Sequence, residues 1–178
     1  LDTCNGGMLD EIEQSILINY AEIPLVKRMR LKQFIELIKT KLIIPKIIKD
    51  LKHGASIVIM LNYSWSIKFL YESLQKLNIQ VDTITGSSRF RDSTIKQFQS
   101  NQLRVLILNI KAASVGISLH DTNGKYHRIS YISPSDNIYD LQQALGRIYR
   151  ATSKSDAKQY FITVVDSVEM CVYKNYIN

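Results

Sequence analysis

Residues 56–61 read SIVIML, a run in which every residue after the serine is apolar and several are β-branched. A second run of this kind, RVLILN, occupies residues 104–109. Strands with one solvated face alternate apolar and polar residues, whereas strands covered on both faces are apolar almost throughout. Both runs therefore predict central strands of a sheet whose two faces are covered.

Further strand and helix patterns alternate around these two runs. Strands are predicted at 81–85, 129–132 and 159–165, and helices at 64–77, 89–98, 136–149 and 167–176. Ser64 is the expected N-cap of the first of these helices, and Ser135 or Asp136 that of the third. This alternation predicts an α/β fold, a parallel sheet with helices on both faces. Such sheets bind ligands beyond the carboxyl ends of their strands.

An N-terminal helical lead-in precedes the alternating region. Two helical segments are predicted at 9–20 and 26–52, separated by Pro24, and Pro45 is expected to break or kink the second one. We expect residues 1–53 to pack on the core formed by residues 54–178. The apolar stripe expected to face the sheet comprises Leu31, Phe34, Ile35, Ile38, Leu42, Ile47, Ile48 and Leu51.

Composition excludes several classes of protein. The 178 residues are 46% hydrophobic, with only 7 Gly and 3 Pro, which disfavours a disordered chain. No apolar run reaches the roughly 18–20 residues of a membrane span, and no secretory signal is present, so no membrane partner is expected. Because the chain lacks an initiator Met, we expect it to be a piece of a longer protein.

Charge and cysteine content indicate the partners and the compartment. With 23 Lys and Arg against 16 Asp and Glu, the net charge of +7 favours polyanionic partners. Cys4 and Cys171 lie near opposite ends of the chain, which disfavours a disulfide framework and favours a reducing, intracellular setting. The three histidines are scattered, so no metal site is predicted.

A Q-x-x-G-R-x-x-R pattern lies late in the helix predicted at 136–149. It is formed by Gln143, Gly146, Arg147 and Arg150. Arginines three residues apart share one helix face, and two guanidiniums there repel unless they meet an anion such as phosphate. Gly146 would let a neighbouring backbone approach closely. The alternative is a solvated basic helix end, where positive charge suits the helix dipole.

A stretch of small residues, IKAASVGISLHD, follows the second apolar run at 110–121. Small residues after a strand allow backbone N–H groups to approach a phosphate, and Gly116 suits a tight turn. An ordinary strand-to-helix turn is the alternative. A proton relay at His120 and Asp121 is disfavoured, because no nucleophile or metal ligand lies nearby in the sequence.

Together these segments resemble motifs V and VI of superfamily 2 helicases and translocases. SIVIMLNYS resembles the motif IV strand, Thr85-Gly86-Ser87 the turn after the next strand, and R-x-x-x-I-x-x-F at 91–98 the helix before motif V. Val168-Glu169 is similar to an element of the chromatin-remodeller-like and large-DNA-virus branch. The resemblance covers about residues 54–172. Tyr149 departs from it, since many relatives carry His there.

The resemblance implies the C-terminal, second RecA-like domain of such a motor. No G-x-x-x-x-G-K-[ST] phosphate loop and no D-E-x-H or D-E-A-D box occurs in the sequence. ATP and Mg²⁺ would therefore be bound mainly through an N-terminal RecA-like domain, and the chain alone would be inactive. Carried over, Arg150 is the arginine finger and Arg147 its partner on the γ-phosphate. The remaining cofactor-binding residues would be Gln143, Gly146, Gly116 and Ser118.

The resemblance also implies a sequence-independent nucleic-acid interface, with DNA favoured over RNA. Its expected residues follow the ends of three strands: Asn62, Thr85, Gly86, Ser87, Asn109, Ile110 and Lys111. Each is alternatively an ordinary polar group of a loop. Arg89 and Arg91 would add charge there or pair with carboxylates.

Two other functions compete with the motor domain. A non-catalytic nucleic-acid-binding or regulatory module derived from a helicase domain is the main alternative. A small-molecule-binding α/β domain is weaker, because no loop of the sequence is dedicated to such a ligand.

Overall fold

The computed structural model contains the five predicted strands, and it describes residues 18, 22–86, 88, 90–113, 116–164 and 169. In chain order the elements are α1 (Leu25–Lys52), β1 (Ala55–Leu61), α2 (Ser64–Lys76), β2 (Val81–Ile84), α3 (Arg91–Gln99), β3 (Val105–Asn109), α4 (Ile110–Ala113), β4 (His127–Ile132), α5 (Ile138–Ala144) and β5 (Ala157–Phe161). Nearly all of the helices predicted at 9–20 and 167–176 lies outside the described residues, as does Val165 of the fifth predicted strand.

The strands form one sheet in the order β2-β3-β1-β4-β5, and every described pair is parallel. Ile57 of β1 pairs with Val105 of β3 on one side and Ile129 of β4 on the other. All carboxyl ends therefore meet at one side of the sheet, which we call the carboxyl edge: the residues that directly follow β1, β2, β3 and β4. The predicted α/β class is confirmed.

Helices cover both faces of the sheet because successive side chains of a strand point to opposite faces. Val58 and Met60 pack with Phe98 of α3 and Leu141 of α5. Ile57, Ile59 and Leu61 pack in a second cluster with residues of α1 and α2, among them Ile43, Ile47, Leu70 and Leu74. Every residue of β1 is buried, as the continuous apolar run predicts.

The expected break at Pro45 is wrong, because α1 is one helix of 28 residues with Pro45 inside it. A proline in a helix removes one backbone hydrogen bond. Here Ile43 and Ile47, on either side of the proline, are both buried in the core. Packing of this kind holds a helix together where local propensity does not.

The predicted packing face of α1 is wrong over its amino-terminal half. Ile47 is fully buried as expected, but four members of the apolar stripe are exposed: Leu31, Phe34, Ile38 and Leu42. The buried face carries Glu36 and Lys39 instead. This half of α1 passes the carboxyl edge, where polar loops offer partners for charged side chains, so a charged face is buried there.

Two predicted N-caps are displaced by one or two residues. Tyr63, not Ser64, precedes α2, and no side chain caps that helix. Asn137, not Ser135 or Asp136, caps α5, and its side chain accepts a hydrogen bond from the Tyr139 N–H at 3.1 Å. Ser135 instead accepts from the Asn137 N–H with its Oγ at 3.2 Å, which shapes the turn before the cap.

Candidate nucleotide and nucleic-acid site

Asn62 connects three elements at the carboxyl edge. Its N–H and its Nδ2 donate to Glu36 Oε2 of α1 at 3.0 and 2.9 Å. Nδ2 also donates to the Pro134 carbonyl at 2.9 Å, and the Asn62 carbonyl accepts from Asn109 Nδ2 at 3.1 Å. Asn62 and Asn109 are thus brought together, with their amides already bonded within the protein.

The loop after β2 closes on itself. The Thr85 N–H donates to Ser88 Oγ at 2.9 Å, and the Ser88 N–H donates to the Thr85 carbonyl at 3.2 Å. Gly86 lies exposed at the tip of this turn. Ser87 lies outside the described residues. The turn therefore presents the backbone near Gly86 to solvent.

After β3 the chain turns at once into α4. The Lys111 N–H donates to Asn109 Oδ1 at 3.0 Å, and the Lys111 side chain is exposed. Ile110 is only 1% exposed and belongs to the core, so its backbone alone is available for contact with a ligand. The sequence predicted both residues as parts of one nucleic-acid interface. In the structure the Lys111 side chain is exposed, whereas the Ile110 side chain is buried.

A cleft of about 280 Å³ opens at the carboxyl edge, between the amino-terminal half of α1 and the strand ends. Its walls include Met29, Ile35, Tyr63, Lys111 and Pro134. Lys32 of α1 forms an ion pair with Asp136 on the opposite wall. Lys39 donates to Ser133 Oγ at 3.0 Å and pairs with Glu169 at 2.8 Å. These polar bonds hold α1 against the edge.

A second group of predicted residues meets where the loop 116–119 contacts the turn after α5. The Leu119 N–H donates to the Arg147 carbonyl at 2.7 Å, and Arg147 Nη1 donates to the Ile117 carbonyl at 3.3 Å. Gln99 of α3 donates to the Ser118 carbonyl at 2.8 Å. The structure therefore brings Arg147 next to Gly116 and Ser118, far apart in the sequence.

The helix that carries the arginine pattern is shorter than predicted. α5 ends at Ala144, so Arg147 and Arg150 lie beyond it and do not share a helix face. Gly146 has φ +82°, a left-handed conformation that glycine adopts readily and that turns the chain out of the helix. No atom lies within 4 Å of a Cβ built on Gly146, so the close approach expected there is absent among the described residues. Gln143 is exposed in the last turn of α5.

Positive charge is concentrated around Arg147. Burial lowers the pKa of its guanidinium, and the charges of Arg150 and Arg91 lower that pKa further. Arg91, at the start of α3, donates to the Ala112 carbonyl at 2.9 Å. Arg150 is exposed, and no carboxylate of the described residues forms an ion pair with it. We call Arg91, Arg147 and Arg150 the arginine group.

Sequence reasoning assigned Arg91 to the nucleic-acid side, if to any, and did not connect it with Arg147. The distance in sequence between Arg91 and the Q-x-x-G-R-x-x-R pattern does not indicate that they are neighbours. They come close only because the start of α3 contacts the chain after β3. Arg89 lies outside the described residues.

Asp121 and Arg128 form a buried network that the sequence did not indicate. Both are fully buried, and Arg128 Nη2 lies 3.4 Å from Asp121 Oδ1. Asn101 donates to the same oxygen at 2.9 Å, and the Gly124 N–H donates to Oδ2 at 2.8 Å. Burial lowers the pKa of Arg128 to about 10, against the opposing effect of Asp121. Asp121 is thus a structural residue, which argues against a proton relay with His120.

The described residues offer neither a cluster of metal ligands nor a membrane-spanning helix. They contain no group of three or more His, Cys, Asp or Glu side chains placed to hold a metal ion. No helix among them combines the length and the apolar composition needed to cross a membrane.

Comparison with known proteins decides the family. A family model described as the helicase conserved C-terminal domain matches residues 36–152. The chain belongs to the helicase C-terminal domain family. The matched region contains both the carboxyl-edge residues and the arginine group, which agrees with the superfamily 2 resemblance of the motifs.

Solved structures of low sequence identity share the fold of this helicase C-terminal domain. The C-terminal part of the Fun30 ATPase domain is similar with a TM-score of 0.61 and 21% identity, over 73% of this chain and 42% of that chain. The C-terminal domain of the DEAD-box protein Dbp5 is similar with a TM-score of 0.51 and 18% identity, over 74% and 77%. These likenesses confirm the RecA-like α/β architecture.

A viral protein is more similar in sequence. The protein named "Putative ATP-dependent RNA helicase" in Acanthamoeba polyphaga mimivirus is 36% identical over 143 residues, which are 80% of this chain. The match spans only 26% of the length of that relative. This helicase C-terminal domain therefore corresponds to about a quarter of it.

Proposed function

We propose that this helicase C-terminal domain is the second motor domain of an ATP-dependent nucleic-acid helicase or translocase. It would supply an arginine finger and half of a nucleic-acid cleft, and it would depend on an N-terminal RecA-like domain. The division into a helical lead-in, 1–53, and the motor domain proper, 54–178, belongs to the same proposal. The small number of cysteines supports a reducing, intracellular compartment.

The arginine group carries this proposal. Three guanidiniums near the loop 116–118 concentrate positive charge there, and a polyphosphate is a ligand of matching charge and geometry. The lowered pKa of Arg147, caused by burial and then by its two neighbours, reflects that concentration of charge. Arg150 is exposed beyond α5, as expected for a side chain that completes a site between two domains.

The described residues fit the phosphates of ATP better than they fit Mg²⁺. Arg147 and Arg150 would hold the γ-phosphate, while Gly116 and Ser118 would lie near the ribose or phosphates and Gln143 would orient the arginines. Gly146 would act by turning the chain so that Arg147 reaches this site. No acidic cluster suited to a metal occurs among the described residues, and Mg²⁺ would be held by the other domain. When bound, ATP supplies the phosphoryl group that passes to water, and Mg²⁺ neutralises phosphate charge.

The nucleic acid would lie along the carboxyl edge. Lys111 and the turn at Thr85, Gly86 and Ser87 would contact the phosphate backbone, as would the main chain at Ile110. Asn62 and Asn109 already use their amides within the protein, so they would position the surrounding loops. The resemblance of the motifs favours DNA, whereas the printed name of the viral relative contains RNA. A titration with DNA and RNA oligonucleotides of matched sequence distinguishes the two.

Substitution of Arg150 in the longer protein tests the catalytic role. We expect Arg150→Ala to lower kcat for ATP by about 10³–10⁵-fold, the range measured for arginine fingers, with a smaller change in KM and in nucleic-acid affinity. Arg150→Lys should not restore kcat, because an ammonium does not present the planar fork of a guanidinium.

Lys154→Ala is the matched control, since it removes one exposed positive charge from the same stretch of chain. Its kcat should stay within a few-fold of wild type. If Arg150→Ala hydrolyses ATP at the wild-type rate, Arg150 has no catalytic role, and the non-catalytic nucleic-acid-binding module becomes the better assignment.

A further inference from the structure

Three large aromatic side chains stand exposed where three helices begin. Trp65 is 76% exposed, Phe90 79% and Tyr139 71%. Trp65 is the second residue of α2, Phe90 immediately precedes α3, and Tyr139 is the second residue of α5. We call them the edge aromatics.

The topology places all three at the carboxyl edge. Each of the three helices follows a strand and returns the chain in the opposite direction, so its first turn lies beside the carboxyl end of that strand. Helical side chains tilt toward the helix N-terminus, which directs Trp65 and Tyr139 outward past the edge. The high exposure of all three agrees with that direction.

The sheet order spreads the edge aromatics along the carboxyl edge, with Phe90 and Tyr139 beside the helices of one face of the sheet and Trp65 beside a helix of the opposite face. Phe90 follows β2, Trp65 follows β1 and Tyr139 follows β4, while Lys111 follows β3, which lies between β2 and β1. Three strand spacings separate β2 from β4, a distance of roughly 14 Å. The edge aromatics therefore flank, from both faces of the sheet, the same edge as the proposed backbone contacts.

We propose that the edge aromatics stack on the bases of single-stranded nucleic acid whose backbone is bound along the carboxyl edge. This inference rests on the proposed function for the position of the backbone and adds contacts to bases. Aromatic rings with nearby cations form stacking surfaces of this kind, and they tolerate any sequence because every base has a π-face. Lys111 is exposed after β3, between the strands that precede Phe90 and Trp65, and Lys68, whose side chain is 71% exposed and 3.9 Å from Glu72 Oε1, lies one helical turn after Trp65.

Trp65 provides a direct signal, because it is the only tryptophan among the 178 residues. We expect oligothymidylate or oligouridylate to quench its fluorescence on binding to the 178-residue chain. An oligomer of abasic sugar-phosphates of equal length should bind more weakly and leave the fluorescence unchanged. Alanine at Trp65, Phe90 or Tyr139 should each weaken binding of the base-containing oligomer by roughly 5–150-fold. Affinity for the abasic oligomer should not change.

Leu77→Ala is the matched control. Leu77 is a large apolar residue, 49% exposed, that follows the carboxyl end of the same helix as Trp65. The Leu77→Ala variant should bind both oligomers with wild-type affinity. Thermal melts of every variant should match wild type, because these exposed side chains contribute little to the core.

The remaining outcomes separate this inference from the proposed function. Equal affinity for base-containing and abasic oligomers, without quenching, would retain the backbone interface and overturn the stacking. Absence of binding to either oligomer would overturn both. Self-association of the wild-type chain that the alanine variants lose, with their oligomer affinity unchanged, would assign the edge aromatics to a protein contact and overturn the stacking.

Discussion

His120 lies between the two segments that meet at the arginine group. Its Nδ1 is 2.8 Å from Ser118 Oγ, and its Nε2 is 3.3 Å from Thr152 Oγ1. Burial lowers the pKa of the imidazole, the charges of Arg150 and Arg128 lower it further, and Asp121 opposes them. The ring is therefore neutral at neutral pH, which avoids adding a fourth positive charge near the phosphate site.

Removal of Arg150 should raise the pKa of His120. Arg150→Ala eliminates the largest electrostatic cause of the shift, while burial still keeps the pKa below 6.5, the ordinary value. Histidine ring resonances followed by NMR across pH measure the change directly. Lys154→Ala, the control, should leave the titration of His120 in place, and equal pKa values in wild type and Arg150→Ala would contradict this account of the charge.

The lowered pKa of His120 makes the free energy of unfolding depend on pH. Because the pKa of His120 is lower in the folded state than in the unfolded state, the unfolded state binds more protons once the pH falls below about 6.5. His120 should thus leave stability unaffected above that pH and reduce it as the pH falls toward the folded-state pKa. Arg150→Ala should reduce this acid-dependent loss, as measured by denaturant unfolding at several pH values.

At the scale of elements, the end of α5 decides where the arginines lie. Leu145 leaves the helical conformation, and Gly146 adopts the left-handed one, so the chain turns toward the loop 116–119. If the helix continued to residue 149, as its apolar spacing predicts, Arg147 would not donate to the Ile117 carbonyl by this route. The turn, rather than a helix face, brings Arg147 to the loop 116–119.

Gly146→Ala should destabilise the protein by about 1–2 kcal/mol, the cost of a left-handed conformation for a residue with a Cβ. The free energy of unfolding in urea measures it. Gly86→Ala is the matched control, because Gly86 is also exposed, has no atom within 4 Å of a built Cβ and is not left-handed. The free energy of unfolding of the Gly86→Ala variant should be unchanged or slightly higher. Equal changes in the free energy of unfolding for Gly146→Ala and Gly86→Ala would show that an alanine side chain does not strain the turn at residue 146.

α1 illustrates a second effect at this scale. Its carboxyl-terminal half packs through Ile43 and Ile47, whereas its amino-terminal half is held by Lys32, Glu36 and Lys39 through bonds to the carboxyl edge. One helix thus changes from apolar to polar packing along its length, because it passes from the covered sheet face to the loops.

At the scale of the whole molecule, the described structure holds half of each proposed site. The arginine group offers contacts to phosphate, and the sequence contains no phosphate loop to hold the nucleotide from the other side. The carboxyl edge likewise offers one wall for a nucleic acid. ATP turnover would then require the proposed partner domain.

The 178-residue chain alone should not hydrolyse ATP. Without a phosphate loop and a carboxylate for Mg²⁺, the arginines have no positioned phosphoryl group to stabilise. A steady-state ATPase assay with and without nucleic acid measures this. Turnover that persists in a purified sample and disappears in the Arg150→Ala variant would contradict the expectation.

Nucleic-acid binding by the chain alone should depend steeply on salt. The net charge of +7 and contacts limited to one wall predict binding dominated by counterion release, with affinity falling between low and moderate salt. Lys111→Ala should reduce the slope of log affinity against log salt by roughly 1, as expected for the loss of one phosphate contact. Binding insensitive to salt would argue against a backbone interface.

The sequence by itself determined the strands, their alternation with helices and the membership of the helicase family. The apolar composition of runs such as residues 56–61 is a local property, and it indicates burial on both faces before the elements that cover the run are known. Motif order is equally independent of packing. The residues of the carboxyl edge could be predicted for the same reason, since they directly follow predicted strands.

Only the tertiary structure decided which distant residues lie together. The exposure of Phe34 and Leu42, the burial of Glu36, the approach of Arg91 to Arg147 and the exposure of aromatics at the carboxyl edge all depend on contacts between distant segments. Helical periodicity reports which residues share a face, but the face that is buried depends on what the rest of the chain places against it. The helix end at Ala144 has a local signal in Gly146, and the hydrogen bond from the Leu119 N–H to the Arg147 carbonyl, a contact between distant segments, holds the turn that follows.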